Sequence, residues 1–399
     1  MFYLIIFIII SFFSFLEIQD KYELLRKELA FVILFLLFFI AGFRYETGID
    51  WLQYTTNFNQ LKSFKDINFS TIFSRTEVGF FLLSTLIKSL GFDVQCLFVV
   101  MQFLISVFLW KTLKYFTEYK LLALLIYFSL LFFHLDMNLM RQALAVSIFF
   151  YSLKYIIQKN FFKYILFILL GFLFHWSIII FLPLYFFINK RFSTTLLSSL
   201  VVCFVLFYVL QVKTGNLIYN LSDMVFGENS NITDKVSYYT SNSLFSIKRI
   251  FSVGSILNIA IILLTLIFRK KLENVMPNFN LFLNLMILQL FFYFVLYEYI
   301  EFSGRLRFYT LIAYIMILPY FIKVFKSLAD RIIIYFIIVL YCFSYSYIYL
   351  IGKSEQTISY HPYQNYLVYK LTNKKSDGKE RLNQYYKYFK EERKKMRTQ

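Results

Sequence analysis

Long apolar runs, separated by short polar and basic clusters, make up most of this chain. Eleven runs stand out, at residues 2–16, 29–43, 94–109, 121–133, 140–157, 164–188, 196–212, 250–268, 281–297, 309–325 and 332–350. A helix needs ~20 residues to cross a bilayer, and fewer where flanking side chains reach back to water. The pattern therefore predicts an all-α, polytopic integral membrane protein with about eleven transmembrane helices.

A shorter apolar run at residues 78–90 carries Lys88 and is predicted to be an amphipathic re-entrant or interfacial segment. No internal repeat and no Pro-rich or Gly/Ser-rich linker divides the apolar part of the chain. We therefore expect one multi-pass membrane domain over residues 1–352 and a separate C-terminal tail over residues 353–399.

Composition agrees with a membrane location. Of the 399 residues, 59% are hydrophobic and only 16% are charged, whereas soluble domains carry ~25% charged residues. An ordinary cytosolic enzyme is therefore excluded. The net charge of +18 is spread over short clusters between apolar runs, as the positive-inside rule produces, so it does not call for a nucleic-acid partner.

The basic clusters also predict an orientation. We expect the cytoplasmic face to carry Lys21/Arg26/Lys27, Lys111/Lys114/Lys120, Lys154/Lys159/Lys163, Lys190/Arg191, Arg269/Lys270/Lys271 and Lys323/Lys326/Arg331. Two long loops, at about residues 44–77 and 213–249, then face outward.

Two segments conflict with simple alternation. The run at residues 164–188 has basic clusters on both sides, which predicts two half-helices that meet near His175 and return. The tail holds twelve basic and five acidic residues, so its side of the membrane is open. Within it, Leu382, Tyr385, Tyr386 and Phe389 have helical spacing, which fits either a helix lying on an anionic membrane surface or a charged, partly disordered extension.

Several familiar catalytic patterns are missing. Gly352-Lys353-Ser354 resembles the end of a phosphate-binding loop, but Tyr347 stands where its first glycine belongs. There is no H-E-x-x-H, G-x-S-x-G or Asp-x-Asp pattern, and Cys96, Cys203 and Cys342 lie apart. The sequence predicts neither a metal site nor a cofactor.

Charged side chains at membrane depth cost at least ~2.5 kcal/mol each, so each one is a candidate for function. The first cluster follows the second run and contains Arg44, Gly48, Asp50 and Tyr54. The arginine could hold an oxyanion while the aspartate acts as a base or accepts a sugar hydroxyl. The alternative is an arginine that extends to the interface beside an anchoring tryptophan.

The second cluster is the polar turn before residue 140, with Arg141 and Gln142 opening the next helix. A cation at a helix N-terminus gains nothing from the helix dipole and needs an anionic partner. Asp136 could be that partner. Alternatively, a diphosphate could bind both the helix N-terminus and Arg141.

The third candidate is His175, alone in an apolar run. It either bonds a neighbouring carbonyl group or transfers a proton and orients a substrate.

The fourth cluster follows residue 297. Glu301 and Arg305 are four residues apart and would pair on a continuous helix, which leaves Arg307 as the freer cation. Both arginines are candidate substrate ligands, although residues two apart point to different sides of a helix.

Simple alternation places these clusters at the outer face, and His175 joins them if its segment is re-entrant. Arginines, carboxylates and a histidine on one side suit a lipid diphosphate that carries a sugar. Arginine would stabilise the leaving diphosphate, and Asp50 or Glu77 could deprotonate an acceptor hydroxyl. The second outward loop adds hydroxyl, amide and aromatic groups that suit a saccharide: Tyr219, Asn220, Tyr238, Tyr239, Ser241 and Asn242.

Four short motifs in this order resemble the EpsG family of Wzy-like polysaccharide polymerases. They are Arg44 with Gly48, Asp50 and Tyr54; Glu77-Val78-Gly79-Phe80; Met140-Arg141-Gln142-Ala143-Leu144-Ala145; and Phe174-His175-Trp176-Ser177. The resemblance is good over about residues 29–190. Beyond this region it is limited to length, helix number, the outward loop and an arginine before Tyr309.

The resemblance implies polymerisation of polyprenyl-diphosphate-linked repeat units at the outer face of the bacterial cytoplasmic membrane, for capsule, exopolysaccharide or O-antigen. It implies diphosphate or saccharide contacts for Arg44, Arg141 and Arg307, with His175 and Asp50 as polar members of the site. Membrane lipid, a flippase and a chain-length regulator are the further partners expected.

Two other functions fit the same residues. A membrane O-acyltransferase would depend on His175 and little on Arg44 or Arg141. A lipid-linked oligosaccharide transporter would need charges in a central cavity at both leaflets, whereas this sequence gathers them on one side.

Overall fold

A computed structural model describes residues 1–18, 23–64, 77–212, 252–352 and 355–398, with isolated positions between 213 and 251. All secondary-structure elements assigned within these ranges are helices, so the predicted all-α fold is confirmed there. Large parts of both predicted outward loops, including Tyr219, Tyr238, Tyr239, Ser241 and Asn242, lie outside the described residues.

The α-helices are numbered in chain order. They are α1 (Phe2–Ser14), α2 (Glu23–Gly42), α3 (Trp51–Gln60), α4 (Val78–Ser89), α5 (Val94–Phe116), α6 (Lys120–Tyr127), α7 (Met140–Ile157), α8 (Phe161–Phe172), α9 (Thr194–Val209), α10 (Val253–Ile267), α11 (Arg269–Val275), α12 (Phe279–Leu290), α13 (Ile300–Thr310), α14 (Ile312–Val324), α15 (Leu328–Ile351), α16 (Tyr366–Thr372) and α17 (Gly378–Thr398). Phe15–Ile18, Trp176–Phe186 and Glu355–Tyr360 are 3₁₀-helices, and Phe128–Phe132 and Phe291–Val295 are π-helical.

Every predicted apolar run falls on a helix, but the helices differ in length. Within the described residues, α5 and α15 are each long and apolar enough to cross a membrane, and the bent pairs α10–α11 and α13–α14 raise the number of candidate spans to four if each pair is one span. Seven further apolar helices are shorter, and a 12-residue helix covers only about 18 Å of the ~30 Å hydrocarbon layer. The count of about eleven spans therefore stays a prediction.

The chain divides into two compact units. The first contains residues 1–155, 162–179 and 325–399, and the second contains residues 156–161 and 180–324. Most of the predicted site residues lie in the first unit, whereas Arg305 and Arg307 lie in the second.

A buried carboxylate fixes the start of α6 in the first unit. Glu17 is 1% exposed, and its two oxygens accept hydrogen bonds from the backbone N–H groups of Leu121 (2.9 Å) and Leu122 (2.8 Å). The first N–H groups of a helix have no partner within the helix and attract negative charge. Glu17 therefore joins the first apolar segment to the helix that leads into the site.

The apolar run at 164–188 is a helical hairpin. In the first unit, Gly171 of α8 lies against the side chain of Ile178, seven positions later. In the second unit, Phe161 at the start of α8 contacts Tyr185, with 4.8 Å between ring centroids. Because residues before His175 contact residues after it, the chain turns back near His175. Re-entry of this run into the membrane stays a prediction.

The C-terminal segment (residues 355–398) is helical and packs within the first unit. Leu382 of the predicted apolar stripe is buried, Tyr385 stacks on Phe389, and Tyr386 is 44% exposed. The stripe is thus partly covered by the protein itself.

Candidate functional site

The site is built around the site loop (residues 43–50), which links α2 to α3. Gly48 has a φ of +101°, a conformation that L side chains rarely adopt, and a Cβ there would lie 2.5 Å from the Met137 carbonyl oxygen and 2.8 Å from Asn138 Oδ1. The next residue, Ile49, donates its backbone N–H to Asn138 Oδ1 at 2.6 Å. Glycine is therefore required for the site loop to approach the polar turn before α7.

Arg44 is the second residue of this loop, and its side chain is buried in the protein, with only 1% exposure. Its Nη1 donates to the Ala41 carbonyl oxygen at 2.6 Å, and its guanidinium lies 4.6 Å from the centre of the Phe98 ring. Within the described residues, Nε and Nη2 of Arg44 have no hydrogen-bond partner. Arg44 is therefore a buried cation rather than one that extends to the interface.

Asp136, fully buried in the turn, is a carboxylate whose charge acts on Arg44. Its Oδ2 accepts a hydrogen bond from the Tyr127 hydroxyl at 2.8 Å. Burial raises the pKa of Asp136 to about 7, although Tyr127, Gln102 and the Arg44 charge oppose the rise. The carboxyl group therefore changes charge near neutral pH.

Arg141 lies on the first turn of α7, where the polar turn ends, and forms an ion pair with Glu77, which directly precedes α4. Its partner is therefore Glu77 and not Asp136. The Arg141 side chain keeps 36% exposure, and its guanidinium lies 5.5 Å from the Tyr54 ring centre and 5.6 Å from that of Phe80.

This pair borders a cavity of about 280 Å³ between α3, α4 and the start of α7. The polar lining consists of Tyr54, Asn57, Gln60, Glu77, Ser84 and Arg141. The remainder is apolar or aromatic, including Phe58 and Phe80. The cavity thus combines one guanidinium, one carboxylate, amides and aromatic rings, a set that suits an anionic group attached to a sugar.

Asp50 occupies the N-cap position of α3. Its charge acts on both Tyr54 and Arg141. Burial raises the pKa of the Tyr54 phenol, and Arg141, which hydrogen-bonds this side chain, opposes the rise. The four residues Asp50, Tyr54, Glu77 and Arg141, which the sequence nominated from separate motifs, therefore form one electrostatic group.

His175 lies at the apex of the hairpin, 5% exposed, with its Nδ1 2.8 Å from the Ser177 hydroxyl. The apex lies next to α4, one of the helices that line the cavity: Gly79 of α4 donates its N–H to the Leu173 carbonyl oxygen at 2.8 Å. A Cβ at Gly79 would lie 2.8 Å from the Leu173 Cβ. Leu173, two residues before His175, therefore contacts the start of α4, which directly follows Glu77.

A known protein family matches most of this chain. The EpsG family model matches residues 27–365. The chain belongs to the EpsG family. No curated protein and no solved structure matches it. The match contains every predicted site residue of this EpsG-family protein and ends just before α16, so it leaves out helices α16 and α17.

The remaining candidates have different surroundings. Gln142 is 1% exposed. In the second unit, Arg305 and Arg307 lie on α13, and Arg307 stacks on Tyr293 at 4.4 Å from the ring centre. With the Gln289 amide turned to its favourable orientation, the amide oxygen accepts from Arg307 Nε at 2.9 Å. The pairing of Glu301 with Arg305 stays a prediction.

Sequence reasoning missed the contribution of the C-terminal segment. The site loop runs beside it: Tyr45 donates its N–H to the Gln364 carbonyl oxygen, and Gly48 donates to that of Ser359, both at 2.9 Å. Tyr360 also hydrogen-bonds Asn138. The C-terminal segment and the site loop therefore lie on the same face of the first unit. The single hint in the sequence was the clustering of tyrosine and amide residues at 359–366.

Proposed function

We propose that this EpsG-family protein polymerises polyprenyl-diphosphate-linked oligosaccharide repeat units at the outer face of the bacterial cytoplasmic membrane, in capsule, exopolysaccharide or O-antigen synthesis. The observation that supports this most is the cavity bordered by the Glu77–Arg141 pair. The guanidinium of Arg141 suits a diphosphate, and the amides and aromatic rings that line the cavity suit the attached sugar.

The proposed reaction is a glycosyl transfer. A hydroxyl of the acceptor unit attacks the anomeric carbon of the donor chain, a new C–O bond forms, and the bond between that carbon and the diphosphate oxygen breaks. The hydroxyl proton passes to a carboxylate, and the polyprenyl diphosphate leaves with its charge stabilised by arginine.

Arg141 is the proposed diphosphate ligand because it borders the cavity and retains exposure. Glu77 is the proposed base. A diphosphate that binds Arg141 would displace Glu77 from its ion pair, which frees the carboxylate when the donor is in place. Asp50 and Tyr54 complete the polar wall.

The other nominated residues take supporting roles in this proposal. Arg44 belongs to the site loop and is buried, so its proposed role is to hold this loop in place and to balance the charge of Asp136. His175 and Gln142 shape the protein next to the cavity, and Arg305 and Arg307 of the second unit are proposed saccharide ligands. A flippase and a chain-length regulator are the proposed protein partners.

The test is chain extension in cells that carry Arg141→Ala or Arg44→Ala. Both variants should insert in the membrane at normal levels, yet single lipid-linked units should accumulate and long polymer should be lost. Lys114→Ala is a matched control because Lys114 is an exposed cation near the other end of α5 from the site. Normal-length polymer in the Arg141 variant would contradict the proposed site. Loss of acetylation in a His175→Ala variant with normal chain length would instead identify an O-acyltransferase.

A further inference from the structure

One buried arginine of α17 joins the C-terminal segment to the site loop. Arg381 is 5% exposed, and its guanidinium donates to the carbonyl oxygens of Pro362 (3.0 Å), Ser359 (3.5 Å) and Glu46 (3.4 Å). Its Nε also pairs with Asp377 at 2.9 Å. A guanidinium offers five donors in a fixed plane, so one side chain can hold several strands of backbone at once.

A second path runs through Gln364, which is 2% exposed. Its side chain is held by Asp377 and, at 2.6 Å, by the Ser376 hydroxyl. Its backbone accepts from Tyr45 at 2.9 Å and donates to the Thr47 hydroxyl at 3.3 Å. Arg381 and Gln364 thus share Asp377 and reach the site loop at successive residues.

The contact is tight as well as polar. A Cβ at Gly378 would lie 2.6 Å from the Glu46 carbonyl oxygen. Glu46 itself has a φ of +44°, an uncommon conformation for a side-chain-bearing residue, which surrounding contacts must maintain. The start of α17 and Arg381 provide those contacts.

From Glu46 the chain reaches the cavity within a few residues. Gly48 fits against Met137, Ile49 bonds Asn138, and Asp50 begins α3, which carries Tyr54. A shift of the site loop would therefore move Asp50 and Tyr54 relative to Arg141.

We infer that Arg381 is a positioning residue for the lipid-diphosphate site: by clamping the Glu46 carbonyl group, helix α17 sets where the site loop places Asp50 and Tyr54. This inference rests on the proposed function for the identity of the substrate. It gives the part of the chain beyond the family match a role in the reaction.

The experiment compares Arg381→Met with Lys379→Met, since Lys379 is an exposed cation on the same helix. Both are made in a background with the native cysteines replaced and with Tyr45→Cys and Tyr369→Cys added. The rings of Tyr45 and Tyr369 are 5.3 Å apart, so a short bismaleimide can join the two new cysteines. The amount of each variant in the membrane is measured first. The rate of crosslinking and the extension of a lipid-linked unit are then measured in reconstituted vesicles.

Arg381→Met should reach the membrane at the control level and crosslink more slowly. It should extend chains on the order of 10- to 100-fold more slowly, because small misplacements of catalytic groups cost that much. Completed crosslinking should restore extension, since the tether replaces the clamp. Arg381→Lys should fall between wild type and Arg381→Met.

Extension by Arg381→Met at the control rate would overturn the inference, and so would a defect that crosslinking does not repair. If the wild type extends no lipid-linked unit, the proposed function fails, and the clamp is then judged from crosslinking alone. In that case, equal crosslinking rates for Arg381→Met and Lys379→Met would overturn it.

Discussion

Arg141, on the first turn of α7, and Glu77, directly before α4, form an ion pair across 64 residues of sequence. This pair turns two separate motifs into one candidate site at the edge of a cavity. Arg141 is the proposed diphosphate ligand and Glu77 the proposed base, and substitution of each residue tests the two roles separately.

Substitution of the two partners should change donor binding in opposite directions. Arg141→Gln should weaken binding of a polyprenyl-diphosphate oligosaccharide by about 10- to 100-fold, because a charged partner of the diphosphate is lost. Glu77→Gln should tighten binding about fivefold, since the competing carboxylate is gone, yet extension should fall. Binding is measured by titration in detergent and extension by product length. Weaker binding in both variants would indicate a merely structural pair.

Gly48 should tolerate no side chain. Gly48→Ala adds a Cβ against Met137 and Asn138 at a positive φ, so thermal unfolding in detergent should show a loss on the order of 1–3 kcal/mol. Gly304→Ala is the matched control because, among the described residues, no atom outside its own stretch of helix lies within 4 Å of the added Cβ, and its helical φ suits alanine. If both variants unfold at the same temperature as wild type, the site loop does not require glycine at position 48.

Asp136 should make stability depend on pH. Its carboxyl group has a pKa of about 7 when folded and ~4 when unfolded. The folded state therefore keeps a proton that the unfolded state releases, so this contribution to stability is full below about pH 4 and is lost as pH rises to about 7. Asp136→Asn should match wild type at pH 4 and melt at a higher temperature at pH 8. A wild-type advantage at pH 8 would contradict the assignment.

The C-terminal segment should be accessible from the same side as the site loop. With native cysteines replaced, Gln60→Cys and Lys375→Cys should react with an impermeant maleimide on intact cells, and Lys114→Cys only after permeabilisation. We expect the first two cysteines to react from the same side because the C-terminal segment and the site loop lie on one face of the first unit. We expect that side to be the outer one because of the positive-inside rule. Labelling of Gln60→Cys and Lys375→Cys from opposite sides would refute the shared face.

Local patterns in the sequence predicted the all-α fold and the positions of two turns. The start of α7 at Met140 follows from the polar turn before it, and the hairpin at His175 follows from basic residues at both ends of one apolar run. In both cases the signal lies within a few residues, where periodicity and charge act directly.

Contacts between residues that are distant in the sequence could not be predicted from local patterns. Arg141 needed an anion, but whether Asp136 or Glu77 supplied it depends on how α4 packs. One of the two alternatives for Arg44 placed it at the membrane interface, whereas packing against Phe98 buries it. The contact of Arg381 with Glu46 joins residues 335 positions apart, which no local pattern specifies.

We propose that the cavity at Glu77 and Arg141 binds the diphosphate of a lipid-linked glycan during chain extension. Its most direct test is a single-turnover reaction of purified protein in vesicles with a synthetic polyprenyl-diphosphate oligosaccharide as both donor and acceptor. Wild type should release polyprenyl diphosphate and form a doubled oligosaccharide, and Arg141→Gln should form neither at the wild-type donor concentration. Equal product from the two proteins would contradict the claim.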